Sequence, residues 1–274
     1  MHPSPPVVSN HRSVLHLSAF RSLVLRWSVF RHFGFPVVAG VLAMPFSISI
    51  ATAQTDAKMV GSDCTTDIVR AGSNAIYAWS LNLDGKACRR WNRDGTTVRV
   101  DVDINRGGYD AGVARNEMPT RLSGSFDAPP LRARLDVDLR GEGTWWAGPK
   151  ICVCQTRDWK GLDGNYECYI VEDAKKSPEA LAEFFGNHYR GQSVVDGAVY
   201  KHYTRPWEGW QQIIAIRQTY RQTGPMNYGE ILRYWHDELD LPDWYLHNPK
   251  VGLETWNENR GHFQWSDIET SRPR

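Results

Sequence analysis

Val98-Arg-Val-Asp-Val-Asp-Ile104 alternates apolar and charged residues without a break. A period of two is the mark of a strand with one face in a core and the other in water. Leu135-Asp-Val-Asp-Leu139 repeats the pattern. Outward from these runs, glycine-rich breaks recur at Arg106-Gly-Gly108, Gly141-Glu-Gly143, Gly161-Leu-Asp-Gly164 and Asp196-Gly197. Between the breaks lie further strand-like runs at 150–156, 166–172, 198–203, 211–220, 250–257 and 263–268. Many short strands with little helix between them predict an all-β chain, built as an antiparallel sandwich or barrel. Residues 226–239 interrupt it, with Ile231, Leu232, Trp235 and Leu239 at helical spacing and Pro242 as the stop. A second helical turn fits 177–185, where Ser177 caps and Pro178 takes the first turn.

The chain has 274 residues, long enough for one large domain or two small ones. Its 41% hydrophobic and 23% charged residues fit a globular protein. Lys+Arg number 32 against 31 Asp+Glu, a net charge of +1. That balance lacks the basic excess of a nucleic-acid binder. Residues 1–53 read as a signal peptide. Arg12, Arg21, Arg26 and Arg31 precede an apolar run at 33–50, then Ala51-Thr52-Ala53 forms an A-x-A cleavage site. An uncleaved anchor is the alternative; with cleavage, the protein is secreted and has no stable membrane association. Residues 54–73 read as a short N-terminal arm and 74–274 as one domain.

Export permits disulfides, but five cysteines leave at least one thiol unpaired within the chain. Cys152-x-Cys154 has no second pair at zinc-site spacing and reads as strand packing. The nine histidines show no ligand spacing, so no metal is expected. Twelve tryptophans are many for this length. Their flat faces suit sugar rings, and they suit a β core equally well.

Two strands carry carboxylates in aromatic company. In Tyr166-Glu-Cys-Tyr-Ile-Val-Glu-Asp173, Glu167 and Tyr169 share a face; in Val251-Gly-Leu-Glu-Thr-Trp256, Glu254 and Trp256 do. On pattern alone, both glutamates also fit a solvent-washed face.

These motifs resemble the two catalytic strands of the glycoside hydrolase family 11 endo-1,4-β-xylanases, with Cys168 and Thr255 as departures. Further matches keep the family's order. Ser193-Val-Val-Asp-Gly-Ala-Val-Tyr-Lys-His-Tyr203 and Gln212-Ile-Ile-Ala-Ile-Arg-Gln218 resemble its later strands. Residues 226–239 fall where the family has its helix. Trp79 precedes Asp84-Gly85 as the family's sugar-stacking tryptophan precedes its turn, and Gly107-Gly-Tyr-Asp-Ala-Gly112 is similar to an early glycine-bounded turn. The likeness is dense from 150 to 261 and patchy from 74 to 149.

The resemblance implies a β-jelly-roll sandwich of two twisted antiparallel sheets with a single α-helix. It implies a retaining xylanase with Glu167 as nucleophile and Glu254 as acid/base. The substrate xylan would lie in an open cleft lined by Trp79, Tyr169, Gln212 and Trp256. The expected protein is a monomer and needs no cofactor. The family's partner to the acid/base, one strand over, is Asn or Asp. Spacing to Gly112 selects Asp103, with Asp101 as the alternative, and both also fit exposed strand positions. Two departures stand out. Only Thr204–Gln211 connects the strands that normally carry a long thumb. Cys154 stands where a tyrosine usually contacts the nucleophile. The rivals are a non-catalytic polysaccharide-binding module on the same fold and a hydrolase of another β-linked glycan.

Overall fold

The computed structural model describes residues 58–115, 119–158, 160–161, 163–207 and 209–269. The expected signal peptide at 1–53 lies outside them. Among the described residues fifteen strands run in chain order: β1 (Met59–Asp63), β2 (Val69–Ala71), β3 (Asn74–Asn92), β4 (Val98–Arg115), β5 (Thr120–Arg121), β6 (Leu131–Arg140), β7 (Thr144–Cys154) and β8 (Tyr166–Val171). They continue with β9 (Asp173–Ala174), β10 (Tyr189–Val195), β11 (Ala198–Trp207), β12 (Trp210–Arg217), β13 (Thr223–Met226), β14 (Tyr245–Trp256) and β15 (Asn259–Glu269). Among the described residues there are two short helices, α1 (Pro178–Phe184) and α2 (Tyr228–Leu239), not one. Ser177 and Pro178 start α1 as their chemistry predicts, the Ser177 hydroxyl accepting from the Ala180 amide.

The long β3–β4 hairpin explains the architecture. Its strands belong to two layers at once. Val98–Ile104 of β4 pairs with β15, which pairs with β6 and so with β13. Gly108–Ala114 pairs with β14, and the sheet continues through β7, β8, β12, β11 and β10. The fold thus matches the expected jelly roll, although hydrogen bonds run continuously round the corner and join both layers in one curled sheet. Register shifts between Leu81 and Gly85 make that corner, as bulges do where strands change sheets. One pair, β8 with β12, is parallel.

The core lies between the layers. Val98, Val100, Val102 and Ile104 point into it from one layer, and Ala111, Val113, Ile151, Ile170 and Leu253 from the other. Helix α2 adds Ile231, Leu232 and Trp235. The Trp235 indole donates to His202 Nδ1 at 2.9 Å, and burial pushes His202 down to about 3, so the ring is a neutral acceptor.

The stretch read as an arm extends the sheet: β1 and β2 pair with β3, and Cys64 is bonded to Cys88. Buried Arg89 secures this corner through Asp63, at 2.7 and 3.0 Å. Cys152, Cys154 and Cys168 are free thiols.

Candidate active site

The second layer is apolar toward the core, so strand alternation puts its other residues on the far face. Side by side there stand Tyr77 and Trp79 of β3, Asp110 of β4, Glu254 and Lys250 of β14, Lys150 of β7, Glu167 and Tyr169 of β8, and Gln212 of β12. Gly112, Gly252 and Gly148 face one another across β4, β14 and β7. Their missing side chains open a trough: a Cβ on Gly112 or Gly252 would overlap the Tyr77 hydroxyl.

The two glutamates meet over this trough through Lys150. Its ammonium lies 3.1 Å from Glu167 Oε1, 3.0 Å from Glu254 Oε2 and 2.9 Å from Asp110 Oδ2. Two contacts sharing one nitrogen keep those glutamate oxygens within about 6 Å of each other. That bound, set on one oxygen of each, accommodates the roughly 5–5.5 Å separation of a retaining pair. The remaining oxygens are also held. Gln212 Nε2 donates to Glu167 Oε2 at 2.9 Å, and Trp256 Nε1 to Glu254 Oε1 at 2.6 Å. The Tyr169 hydroxyl donates to Glu254 Oε2 at 3.0 Å.

Burial would raise the pKa of both carboxyls, and their neighbours separate them. Lys150's charge and hydrogen bonds from Gln212, Lys150 and Tyr169 bring Glu167 below the ordinary range. For Glu254, burial together with Asp110 and Glu167 outweighs Lys150, and its pKa is raised. Three carboxylates overcome the desolvation of Lys150 and lift it well above the usual lysine value. Lys250, 3.9 Å from Asp110 and over the Tyr77 ring, is lowered by burial.

The site differs from the sequence expectation in several ways. Asp103 is absent from it: its side chain is 72% exposed and pairs with Arg260. Asp101 also faces outward, bound to Arg90 and Arg99. Directly opposite Glu254 on β4 stands Asp110. Cys154 lies opposite Tyr245; the cross-strand neighbour of Glu167 is Cys152. The cleft is less open than expected, with Glu167 and Glu254 only 7% and 5% exposed. Helix α1 lies over one side, where Phe185 packs on Trp146 and Tyr169. A void of ≈ 10 Å³, room for about one water, lies beside Asp110, Lys150 and Glu254. Trp79 is 43% exposed, and beyond it a recess of ≈ 610 Å³ opens between Leu81, Arg106 and Trp256. The β11–β12 hairpin turns tightly, Trp207 pairing with Trp210.

Sequence reasoning missed Lys150 and Asp110. Asp110 sits inside the quoted Gly107–Gly112 motif. Lys150 had a signal of its own. It is the charged residue in a strand apolar on both faces, Thr144–Cys154, where an ammonium must be buried and paired.

No protein-family model matches the sequence, and neither does any curated relative. Solved structures do match. A family 11 xylanase from Neocallimastix patriciarum superposes with a TM-score of 0.62 at 17% identity, covering 76% of this chain and 97% of that one. This chain has the family 11 xylanase fold. A multiply substituted mutant of ENZbleach xylanase gives 0.61 at 18% identity, over 79% of this chain and 89% of the other. At such identity the likeness concerns the fold, and the chemistry has to be argued from the family 11-like cleft itself.

Proposed function

We propose that the protein is a secreted hydrolase of β-1,4-linked polysaccharide, with xylan as the substrate suggested by the proteins that share its fold. The carrying observation is the pair of glutamates tied within about 6 Å on one sheet face, a separation that suits retention. Glu167, held ionised, attacks the anomeric carbon as the glycosidic bond breaks. Glu254 gives its proton to the departing oxygen, then takes one from the water that releases Glu167. Trp79, the exposed aromatic on the same face, offers a sugar-stacking platform.

One observation favours a second reading. All four oxygens of the pair already accept from protein donors, and the Lys150 ammonium bridges them. A polysaccharide-binding module has no need to release them. Reducing-end release from soluble xylan, followed alongside labelling by an aryl 2-deoxy-2-fluoro-xylobioside, separates the two. Hydrolysis predicts new reducing ends and a covalent adduct on Glu167, lost in Glu167→Gln. Retarded migration in xylan-containing gels with neither adduct nor new ends supports the binding module.

A further inference from the structure

Lys150 is, among the described residues, the basic side chain that ion-pairs with both Glu167 and Glu254. Groups from every packed strand face it. These are Glu167 and Tyr169 from β8, Glu254 and Lys250 from β14, Asp110 from β4, Tyr77 and Trp79 from β3, and Cys152 from its own strand. Three carboxylates this close cannot all ionise in a buried site without compensation.

We propose that Lys150 is a positioning residue for the pair: its ammonium is the fixed counter-ion that lets Glu167 stay charged beside a protonated Glu254. This rests on the reading of those two glutamates as the working groups. The cluster's charges support it. Asp110, Glu167 and Glu254 face Lys150 and Lys250, so one proton makes the whole neutral. The neutral cluster accommodates the state that retention requires, with an ionised nucleophile and a protonated acid. Remove Lys150, and neutrality takes a second proton, which falls on one of the two partners still ionised, Asp110 or Glu167. The nucleophile then loses its charge over part of the pH range. A lysine does this work better than a shared proton because it stays charged throughout the range in which carboxyls titrate.

The test reads the carboxyls directly. Carbon-13 NMR titration of glutamate-labelled protein, assigned with Glu167→Gln and Glu254→Gln, should place Glu167 below the ordinary range and Glu254 above it. In Lys150→Met both should rise by about 1–3 pH units, the size expected for loss of an adjacent opposite charge. Both limbs of the pH–rate profile should move the same way, which a purely structural lysine would not cause. Unchanged titrations in a folded Lys150→Met or Lys150→Gln protein would overturn the proposal. If neither variant folds, the wild-type titration decides, and two glutamates titrating together in the ordinary range reject it. Separated titrations in a protein that releases no sugar would leave the counter-ion standing and sink the hydrolase reading alone.

Discussion

Asp103 and Asp110 stand on the same strand and meet opposite surroundings. In the first half of β4, Val98, Val100, Val102 and Ile104 fill the core, and Asp103 points to water beside Arg260. In the second half Tyr109, Ala111 and Val113 point inward, and Asp110 lies on the far face with its side chain 2% exposed against Lys150. The inward set changes from even to odd numbers across Asn105–Gly107. A strict period of two cannot do that, so the corner must consume a residue, and the register shifts opposite it on β3 show where. Alternation identifies a strand and sorts its faces. It does not carry the sorting past a bulge.

The two ion pairs should differ most in what their loss costs. Arg260 and Asp103 are exposed, where a pair contributes about 1 kcal/mol or less. Lys150 balances three buried carboxylates, and removing one partner of a buried pair costs about 3–5 kcal/mol. Urea denaturation of Lys150→Met and Arg260→Met at neutral pH measures both. The Lys150 deficit should shrink in acid, as the stranded carboxyls take up protons. Equal losses in the two variants would erase the distinction between the halves of β4.

A smaller effect probes the trough. The second half of β4 contains Gly112, level with Gly252 and Gly148, whereas 98–104 contains no glycine. A methyl at 112 would overlap the Val251 carbonyl and the Tyr77 hydroxyl. Gly112→Ala should therefore cost about 1–3 kcal/mol, the usual range for overpacking. Gly124→Ala, with nothing within 4 Å of the added carbon, should stay within about 0.5 kcal/mol. Thermal unfolding of both checks this, and a tolerant Gly112 would mean the trough is not packed as described.

These contrasts also show what the sequence could yield. Local pattern was enough wherever one face is core and the other water: Val98–Ile104, the capped α1 and the face of α2 led by Trp235. Glu167, Glu254, Tyr169, Gln212, Trp79 and Trp256 were singled out because neighbouring residues resemble a known family's motifs, and the structure brings them onto one sheet face. Asp110 was missed because its partner lies across a corner whose bulge is invisible to a period count. Lys150 was missed because it lies outside the motifs that carry the resemblance, and its three carboxylate partners come from three other strands. The closing of the cleft by α1 was equally hidden. Phe185 and Trp146 are far apart in sequence, and only the fold sets one on the other.

The smallest effect concerns pH and returns to the two aspartates. Asp110 adds negative charge beside Glu254 and so helps burial hold its pKa up. Asp110→Asn removes that charge and leaves Lys150 to the two glutamates. Glu254 should then fall toward the ordinary range by about one pH unit. On the hydrolase reading, the alkaline limb of kcat/KM moves to lower pH, since the acid loses its proton sooner. Stability carries the same signature independently of turnover. A carboxyl raised on folding contributes stability that is complete below its unfolded pKa and is lost as pH rises through its folded value. Wild type should therefore lose this contribution across that window, while Asp110→Asn loses it earlier and over a narrower span. Glu167, lowered on folding, works in the opposite sense: its contribution is present above its unfolded value and lost as acid is added. Asp103→Asn should leave the alkaline limb where it is, because its carboxylate is paired with Arg260 on an exposed face. Identical profiles for Asp110→Asn and wild type, or a shift in Asp103→Asn as large as that in Asp110→Asn, would show that Glu254 does not sense its neighbour across β4.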